Sequence, residues 1–512
     1  MDSEQKLIEL LSLLESSYTC KDNSKLNEIT KLIKAYATNY ETYIELLFQG
    51  LSLTMINNKE ISLNLHISIS TNLKNIIMEK RAEISEEKLL VIIRKIFQLF
   101  FATNFNPNLL NESIISIFEN IIKIISSLES LKSHIEEIFK ILLQTITQAQ
   151  TCPQPQLFIN ISKIVVKFSR GIFEAKNMDQ NNIIKIINDY YLLIIETVFK
   201  NVPKFIDPNK NLYNEEYFNL LNNLIEDMYY NFKTVAKMDN IDSVKFNELI
   251  INIFQKYYPL IYELVKIQIP YDKESEEIFN TQNSIIVFNL NEKNCTSINN
   301  MKSKCFQFFS FITEQLSLKN KKGINETYLV IKNEKLIEIN AEIIKLIISS
   351  FQDILNNKEK FDIVKRPKEG VLNPGNCYNN LLFNMILLIL RCFAREPIKS
   401  EFASHMKYFV LNILFPLVTS TEKEKLFLEN DYDTYHMYIN DLINDFKFRN
   451  FRTALCYLIK KICEYYFDMN GFILSYIVEM LNYIFNMESN NNINSNNNIC
   501  NTYNIYLNLQ IK

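Results

Sequence analysis

Four histidines, nine cysteines and one carboxylate cluster beside tyrosines are the residues of this 512-residue chain best suited to chemistry. His66, His134, His405 and His436 lie far apart and none stands in an HExxH pair, so metalloprotease chemistry has no starting point. His134 is followed by Glu136 and Glu137, a spacing that reads as a solvated helix face rather than a catalytic dyad. The cysteines at 20, 152, 295, 305, 377, 392, 456, 463 and 500 include no CxxC. They read as free thiols in a reducing compartment, and Cys456 and Cys463 share a helix face without a third ligand. The six glycines exclude most phosphate-cradling loops, because such loops need backbone that reaches positive φ or touches a pyrophosphate. In the one close pair, Gly370 and Gly375, the second is followed by Asn376 and Cys377 instead of Lys and Ser or Thr. No catalytic residue, cofactor or metal is therefore expected. Recognition chemistry is better represented. Glu429, Asp431 and Asp433 gather negative charge beside Tyr432 and Tyr435, and Arg449 and Arg452 follow as candidate bidentate partners. The basic stretches Lys319 to Lys322 and Lys358 to Lys368 carry no interleaved aromatic ladder and read as solvated loops.

The elements that would position these residues are helices. Eleven prolines and six glycines cannot supply the many tight turns of a sandwich, barrel or propeller. A 47% hydrophobic content with 36 Phe and 27 Tyr provides a large core. Apolar residues recur at three and four along the chain. Leu7, Leu10, Leu11 and Leu14 mark a first helix, Leu26, Ile29, Leu32 and Ile33 a second, and Tyr43, Leu46 and Leu47 a third. Ile61 to Ile77 forms a fourth, and further helices are predicted at 89–101, 109–125, 135–146, 157–173, 183–199, 217–235, 246–265, 298–316, 336–355, 378–393, 402–417, 453–466 and 472–485. Two helices consume about 40 residues, the length of HEAT and armadillo repeats, so the expected fold is an all-α, HEAT-like α-solenoid. About ten or eleven right-handed hairpins are expected from residue 3 to 487. Ser284 to Phe288 is the one β-like stretch. Residues 270–294, 356–375 and 419–450 interrupt the period, and the Asn-rich residues 488–512 read as a disordered tail. A net charge of −3 and a pI near 6.0 give no field for nucleic acid, so no direct DNA binding is expected. Leu381 to Phe393 is too short to span a bilayer, so no membrane insertion is expected either.

Two stretches carry a resemblance. Leu414-Phe415-Pro416-Leu417 ends one helix, the acidic Glu429 to Tyr435 element follows, and Arg452-Thr453-Ala454 opens the next helix. This is similar to the karyopherin-β nuclear transport receptors, in the branch of importins seven and eight and of the receptor that re-exports importin-α. His436-Met437 stands where that branch has Ile-Arg. Near the N-terminus, Leu73-Lys74-Asn75 resembles the end of a helix in the importin N-terminal module. The resemblance implies a receptor whose N-terminal repeats, here 1–170, bind Ran in its GTP form, with Lys74 and Asn75 as contact candidates. Repeats 171–487 would continue the array, with Glu429, Asp431, Asp433 and Tyr435 in an acidic insertion. It further implies protein cargo and nucleoporins as partners, a monomer shuttling between cytoplasm and nucleus, and no catalytic residue of its own. Receptors of this family run roughly twice this length, so the chain is expected to be the N-terminal half of one or to come from an incomplete gene. An exporting relative and a non-transport helical scaffold are the alternatives.

Overall fold

Local sequence sets the helix starts. Asp22 accepts from the amides of Ser24 and Lys25 and opens α2 (Asn23–Ala37); Asn39 accepts from Thr42 and opens α3 (Tyr40–Ser52). Ser62 and Ser85 cap α4 (Leu63–Lys80) and α5 (Glu86–Leu99), the latter with Glu86 and Glu87 in its first turn. Each cap satisfies amides that the helix cannot, and first-turn acids complement the partial positive charge there. The computed structural model describes residues 3–56, 59–102, 107–126, 134–172, 180–207, 212–237, 243–267, 292–316, 326–356, 375–393, 396–418 and 451–490.

The chain divides into two compact units, Met1–Phe205 with Tyr230–Ile241, and Ile206–Tyr229 with Asp242–Lys512. The chain passes between the units after Phe205, after Tyr229 and after Ile241, and the second of these crossings lies inside one helix, α12 (Glu215–Ala236), where the apolar period continues unbroken. In the first unit α1 (Ser3–Thr19), α4, α6 (Glu112–Ser126) and α8 (Pro155–Ile172) stack in order as one row. A second row comprises α3, α5, α7 (Ile135–Gln150) and the segment from α9 (Gln180–Ile186) to α10 (Leu192–Lys200). The rows pack on each other, and the short connections make successive helices antiparallel. Leu10, Leu14, Leu47, Ile69, Leu73 and Ile77 are fully buried where the first pairs meet. Each such side chain contributes about 1.5–3 kcal/mol relative to exposure.

Between α9 and α10 one π-helical turn, Ile187–Tyr191, widens the helix. It carries Tyr191, whose buried ring lies 6.1 Å from Phe139 and 6.0 Å from Phe232, both edge-on, while its hydroxyl accepts from Asn231 Nδ2 at 3.0 Å. After α10 comes the single turn α11 (Val202–Phe205). The second unit holds α13 (Ser243–Lys266), α14 (Glu292–Leu316), α15 (Glu326–Asn356) and α16 (Gly375–Phe393). It continues with α17 (Glu396–Ala403), α18 (Met406–Phe409), a π turn Val410–Leu414, α19 (Phe415–Val418), α20 (Phe451–Tyr465) and α21 (Phe467–Asn490). Here α14 packs on α16 and α16 on α20, while α15 joins α13 to α17. Among the described residues the architecture is an all-α array of HEAT-like helix pairs.

Most expected helices are present within a few residues. The helix expected over 402–417 is instead α17, α18, the π turn and α19, broken at Ser404 and His405, where His405 offers α18 no side-chain cap. Two ladders too short for a period of two to show were not expected: Met55 with Glu60 and Ile56 with Lys59, then Ile206 with Tyr213 and Asp207 with Leu212. Ser284 to Phe288, the basic stretches at 319–322 and 358–368, and residues 419–450 and 491–512 lie outside the described residues.

Two positions in the first unit are tightly constrained. A Cβ on Gly50 would stand 2.9 Å from Leu11 Cδ2 and 3.4 Å from Ile69 Cδ1, so α3 approaches α1 and α4 through a residue without a side chain. Gly50→Ala is expected to be near neutral in urea denaturation, because about 1 kcal/mol of helix propensity offsets displacement of Leu11. Gly50→Leu should lose about 1–3 kcal/mol by overpacking; equal midpoints for Leu and wild type would disprove the close approach. His66 is fully buried, with Nδ1 3.1 Å from the Ser62 carbonyl, and burial pushes its pKa below the ordinary 6.5 despite that bond. The unfolded chain therefore takes up the proton more readily. Stability is complete above pH 6.5 and declines as pH falls below it. Melting of the wild type should fall more steeply from pH 7 to 5 than that of His66→Asn, and parallel profiles would refute the assignment.

Candidate functional site

Along the second row of the first unit, charges on successive helices meet. Glu41 and Glu45 on α3 pair with Lys88 and Lys95 on α5, the second contact including Glu45 Oε2 at 2.6 Å. From α5, Arg94 pairs with Glu137 on α7, and Glu86 Oε2 lies 3.1 Å from Nε2 of His134, the residue that begins α7. Glu136 on α7 accepts from Lys185 of α9 at 3.2 Å and from the Tyr190 hydroxyl at 3.1 Å. The partners are 43 to 54 residues apart in sequence, about one helix pair. The ladder thus joins every step from α3 to the π turn.

Its electrostatics follow from contact rather than burial. The Lys185 ammonium, and after it the Tyr190 hydroxyl, holds the Glu136 carboxyl below its ordinary 4.5. The same carboxylate raises Tyr190 above 10.0 and Lys185 above 10.5. Lys88 likewise lowers Glu41. For these carboxylates the folded value is depressed, so the contacts stabilise at neutral pH and are lost as pH falls through it. All are exposed, and salt screens them. Beside the α5–α7–α9 steps lies an open groove of about 620 Å³ lined by Arg94, His134, Glu136, Glu137, Lys140, Gln144 and Tyr190. Its walls suit a polar protein surface; an apolar small molecule would find only Ile141.

On the other row, Leu73 is buried in α4, Lys74 is half-buried and Asn75 is exposed. Lys74 makes no hydrogen bond or ion pair with the described residues, unlike the cations of the ladder. Lys74 and Asn75 therefore share α4 but lie off the ladder, whose members come from α3, α5, α7 and α9. Glu429, Asp431, Asp433 and Tyr435 lie outside the described residues. The helix ends flanking them are described: Phe415-Pro416-Leu417 lies in α19, which ends at Val418, and Arg452-Thr453 in the first turn of α20.

Sequence reasoning missed the ladder. His134, Glu136 and Glu137 do lie on an exposed face, with side chains 31%, 51% and 41% accessible, but each has a partner on a neighbouring helix. The signal was opposite charges spaced by one helix pair. Among the described residues no group of three His, Cys, Asp or Glu is placed to hold a metal ion, and no helix is long and apolar enough to cross a membrane. Cys305 and Cys392 are buried, and burial pushes the Cys392 thiol up to about 12.

No protein-family model matches the chain, and no curated protein matches it. Among solved structures it is similar to the exportin Cse1 in its cargo-free, cytoplasmic state, at 14% identity and a TM-score of 0.46, over 98% of this chain and 46% of the exportin. The chain thus spans less than half the length of that exportin. It is also similar to Kap95p, in a structure where Kap95p binding brings the switch loops of RanGDP to the GTP-bound conformation, at 12% identity and a TM-score of 0.16. That match covers 96% of this chain and 80% of Kap95p. An engineered protein is similar at 12% identity and a TM-score of 0.21, over 90% of this chain and 99% of its own.

The contribution of the ladder is measurable with the Glu45–Lys95 pair, whose side chains are 55% and 31% accessible. A double-mutant cycle with Glu45→Ala and Lys95→Ala should give a coupling of about 0.2–1 kcal/mol. It should shrink toward zero in 1 M salt. A coupling unchanged by salt would show that the pair is not held by a screened charge interaction.

Proposed function

We propose that this chain is a nuclear transport receptor of the karyopherin-β kind, whose first unit binds Ran in its GTP form and which carries protein cargo. The observation that carries the reading is Lys74. In the stretch that resembles the importin N-terminal module, Leu73 is spent on the core while the Lys74 ammonium has no partner among the described residues. The cations of the ladder are already held by carboxylates; Lys74 is available to a partner. An array of helix pairs with charged outer faces suits recognition, and GTP hydrolysis belongs to Ran. Discrimination between nucleotide states would come from the switch loops of Ran, which the γ-phosphate orders.

A transporter of this design works by population shift. Each helix pair contacts only its neighbours, so small rotations between pairs add, and a ligand that prefers one curvature shifts the array toward it. We assign import as the direction, with Ran-GTP expelling cargo; export, in which Ran-GTP recruits cargo, is the opposite sign of the same coupling. Nucleoporins as further partners, a monomeric state and shuttling between cytoplasm and nucleus belong to the same reading. The acids Glu429, Asp431 and Asp433, with Tyr435, are proposed to meet basic cargo or to hold the next helix pair through Arg449 or Arg452.

Calorimetry of the full chain with Ran loaded with GTP or GDP tests this. The GTP form should bind more tightly, and Lys74→Glu should weaken it by more than roughly 1 kcal/mol if the ammonium sits at a desolvated contact. Equal affinity for the two forms would remove the transport reading and leave a helical scaffold.

A further inference from the structure

Beside the charge ladder of the first unit runs a line of amides. Gln49 on α3, Gln98 on α5 and Gln144 on α7 are exposed, and none makes a side-chain hydrogen bond with the described residues. Glutamine is a good helix former, so one exposed glutamine signifies little. These three, however, are in register. Ladder contacts between α3 and α5 join residues 47 and 50 apart, and Gln49 and Gln98 are 49 apart. Those between α5 and α7 join residues 43 and 48 apart, and Gln98 and Gln144 are 46 apart. The amides therefore stand at one level on three successive helices. A further 49 residues on, the separation of Glu136 from Lys185, the line reaches Leu193 of α10, which is 41% exposed.

One cation stands beside this line. Lys140 lies one turn before Gln144 on α7, and both line the groove of about 620 Å³. The two carboxylates of the groove are already engaged: Glu136 by Lys185 and Tyr190, and Glu137 by Arg94, with His134 Nδ1 3.7 Å away. Lys140 makes no hydrogen bond or ion pair with the described residues and acts on Glu136 through its field alone. The groove thus offers one unpaired ammonium, and a carboxylate is the group that answers it.

We propose that this line binds an extended peptide of another protein in the polyproline II conformation. Its carbonyls at i, i+3 and i+6 accept from Gln49, Gln98 and Gln144, an Asp or Glu meets Lys140, and an apolar side chain rests on Leu193. The step between helices chooses the conformation. Packed helices lie about 8–10 Å apart, and a polyproline II chain repeats every three residues at about 3.1 Å each, so it turns the same face to each amide. A β-strand also covers the step in about three residues, but with a period of two it would present opposite faces to successive helices. Polyproline II leaves its carbonyls free of internal bonds, and proline supplies an acceptor without a donor. A second copy of this chain is a poor occupant, because its described residues are helices with short connections and two ladders of two residues per strand. The proposal uses no residue on which the transport reading rests, and its test does not involve Ran.

The test uses the full chain and peptides of about 12 residues, since three helix steps of about 9 Å need about nine residues at 3.1 Å each. One peptide is proline-rich with a central Glu and a Leu three residues to either side; the second carries Lys in place of Glu, and the third Gly in place of Pro. Fluorescence anisotropy should show the Pro–Glu peptide binding most tightly, with both replacements weakening it several-fold. Gln98→Ala with Gln144→Ala should weaken it about ten-fold while leaving the melting temperature unlowered, both positions being exposed. Lys140→Glu should reverse the preference between the Glu and Lys peptides. Equal binding of those two peptides, or unchanged affinity in the double Gln variant, would overturn the proposal. So would a Gly peptide that binds as well as the Pro peptide, which would remove the polyproline II conformation. Self-association in light scattering that the double Gln variant abolishes would make a second copy the occupant, again against the proposal.

Discussion

Everything in this molecule depends on one fact about amphipathic helices: a helix pair cannot bury its own apolar stripe. Leu47, Ile69 and Leu73 lose all exposure because α3 and α4 stack against each other and against the pairs beside them. At Gly50 the fit is close enough that even a methyl group meets Leu11. Nearest-neighbour burial makes stability roughly a sum over steps, and it leaves outward-facing positions free to vary. The ladder occupies such positions. Its exposed pairs add little to stability against the burial beneath them, but opposite charges that fall in line at each step favour one register of stacking over a slipped one.

The π turn between α9 and α10 belongs to the same economy. Widening the helix by one turn puts Tyr191 between Phe139 and Phe232 while its hydroxyl meets Asn231. A buried phenol with its hydrogen bond satisfied fixes where the ring sits more strictly than an apolar side chain would. The neighbouring Tyr190, in the same turn, faces the surface and reaches Glu136. One local distortion thus ties a core contact to the end of the charge ladder.

Much of this was legible in the sequence. Three-four periodicity located the helices because helix burial is a local pattern, visible wherever fifteen or so residues can be compared. It failed where the signal is not periodic: at Ser404 and His405, where one helix stops and the next starts without a side-chain cap from His405, and at Met55 to Glu60, where two residues per strand give no alternation to read. The division into units was invisible because the chain crosses between them three times, once within α12. For the site, the sequence singled out Lys74 and Asn75 by resemblance but treated Glu136 and Glu137 as solvated. Pairing across helices is non-local, and only coordinates show that Lys185 lies within reach of Glu136, 49 residues away.

The contrast between spent and unspent groups governs where a partner gains most. A partner that inserts a charge into the ladder, at Arg94 or Lys185 for example, must displace a carboxylate already in contact, so its gain is a difference between two similar terms. Such contacts serve selectivity, because a poorly placed charge leaves an existing pair broken. Lys74 and Lys140 have no ion-pair partner among the described residues, and Leu193 already carries the cost of its exposure to water. Contacts with these groups break no existing pair, and their gain is set against desolvation of the charges and the ordering that any association requires. Affinity is therefore expected to concentrate off the ladder, which within the first unit holds α3, α5, α7 and α9 in register beside the row that carries Lys74.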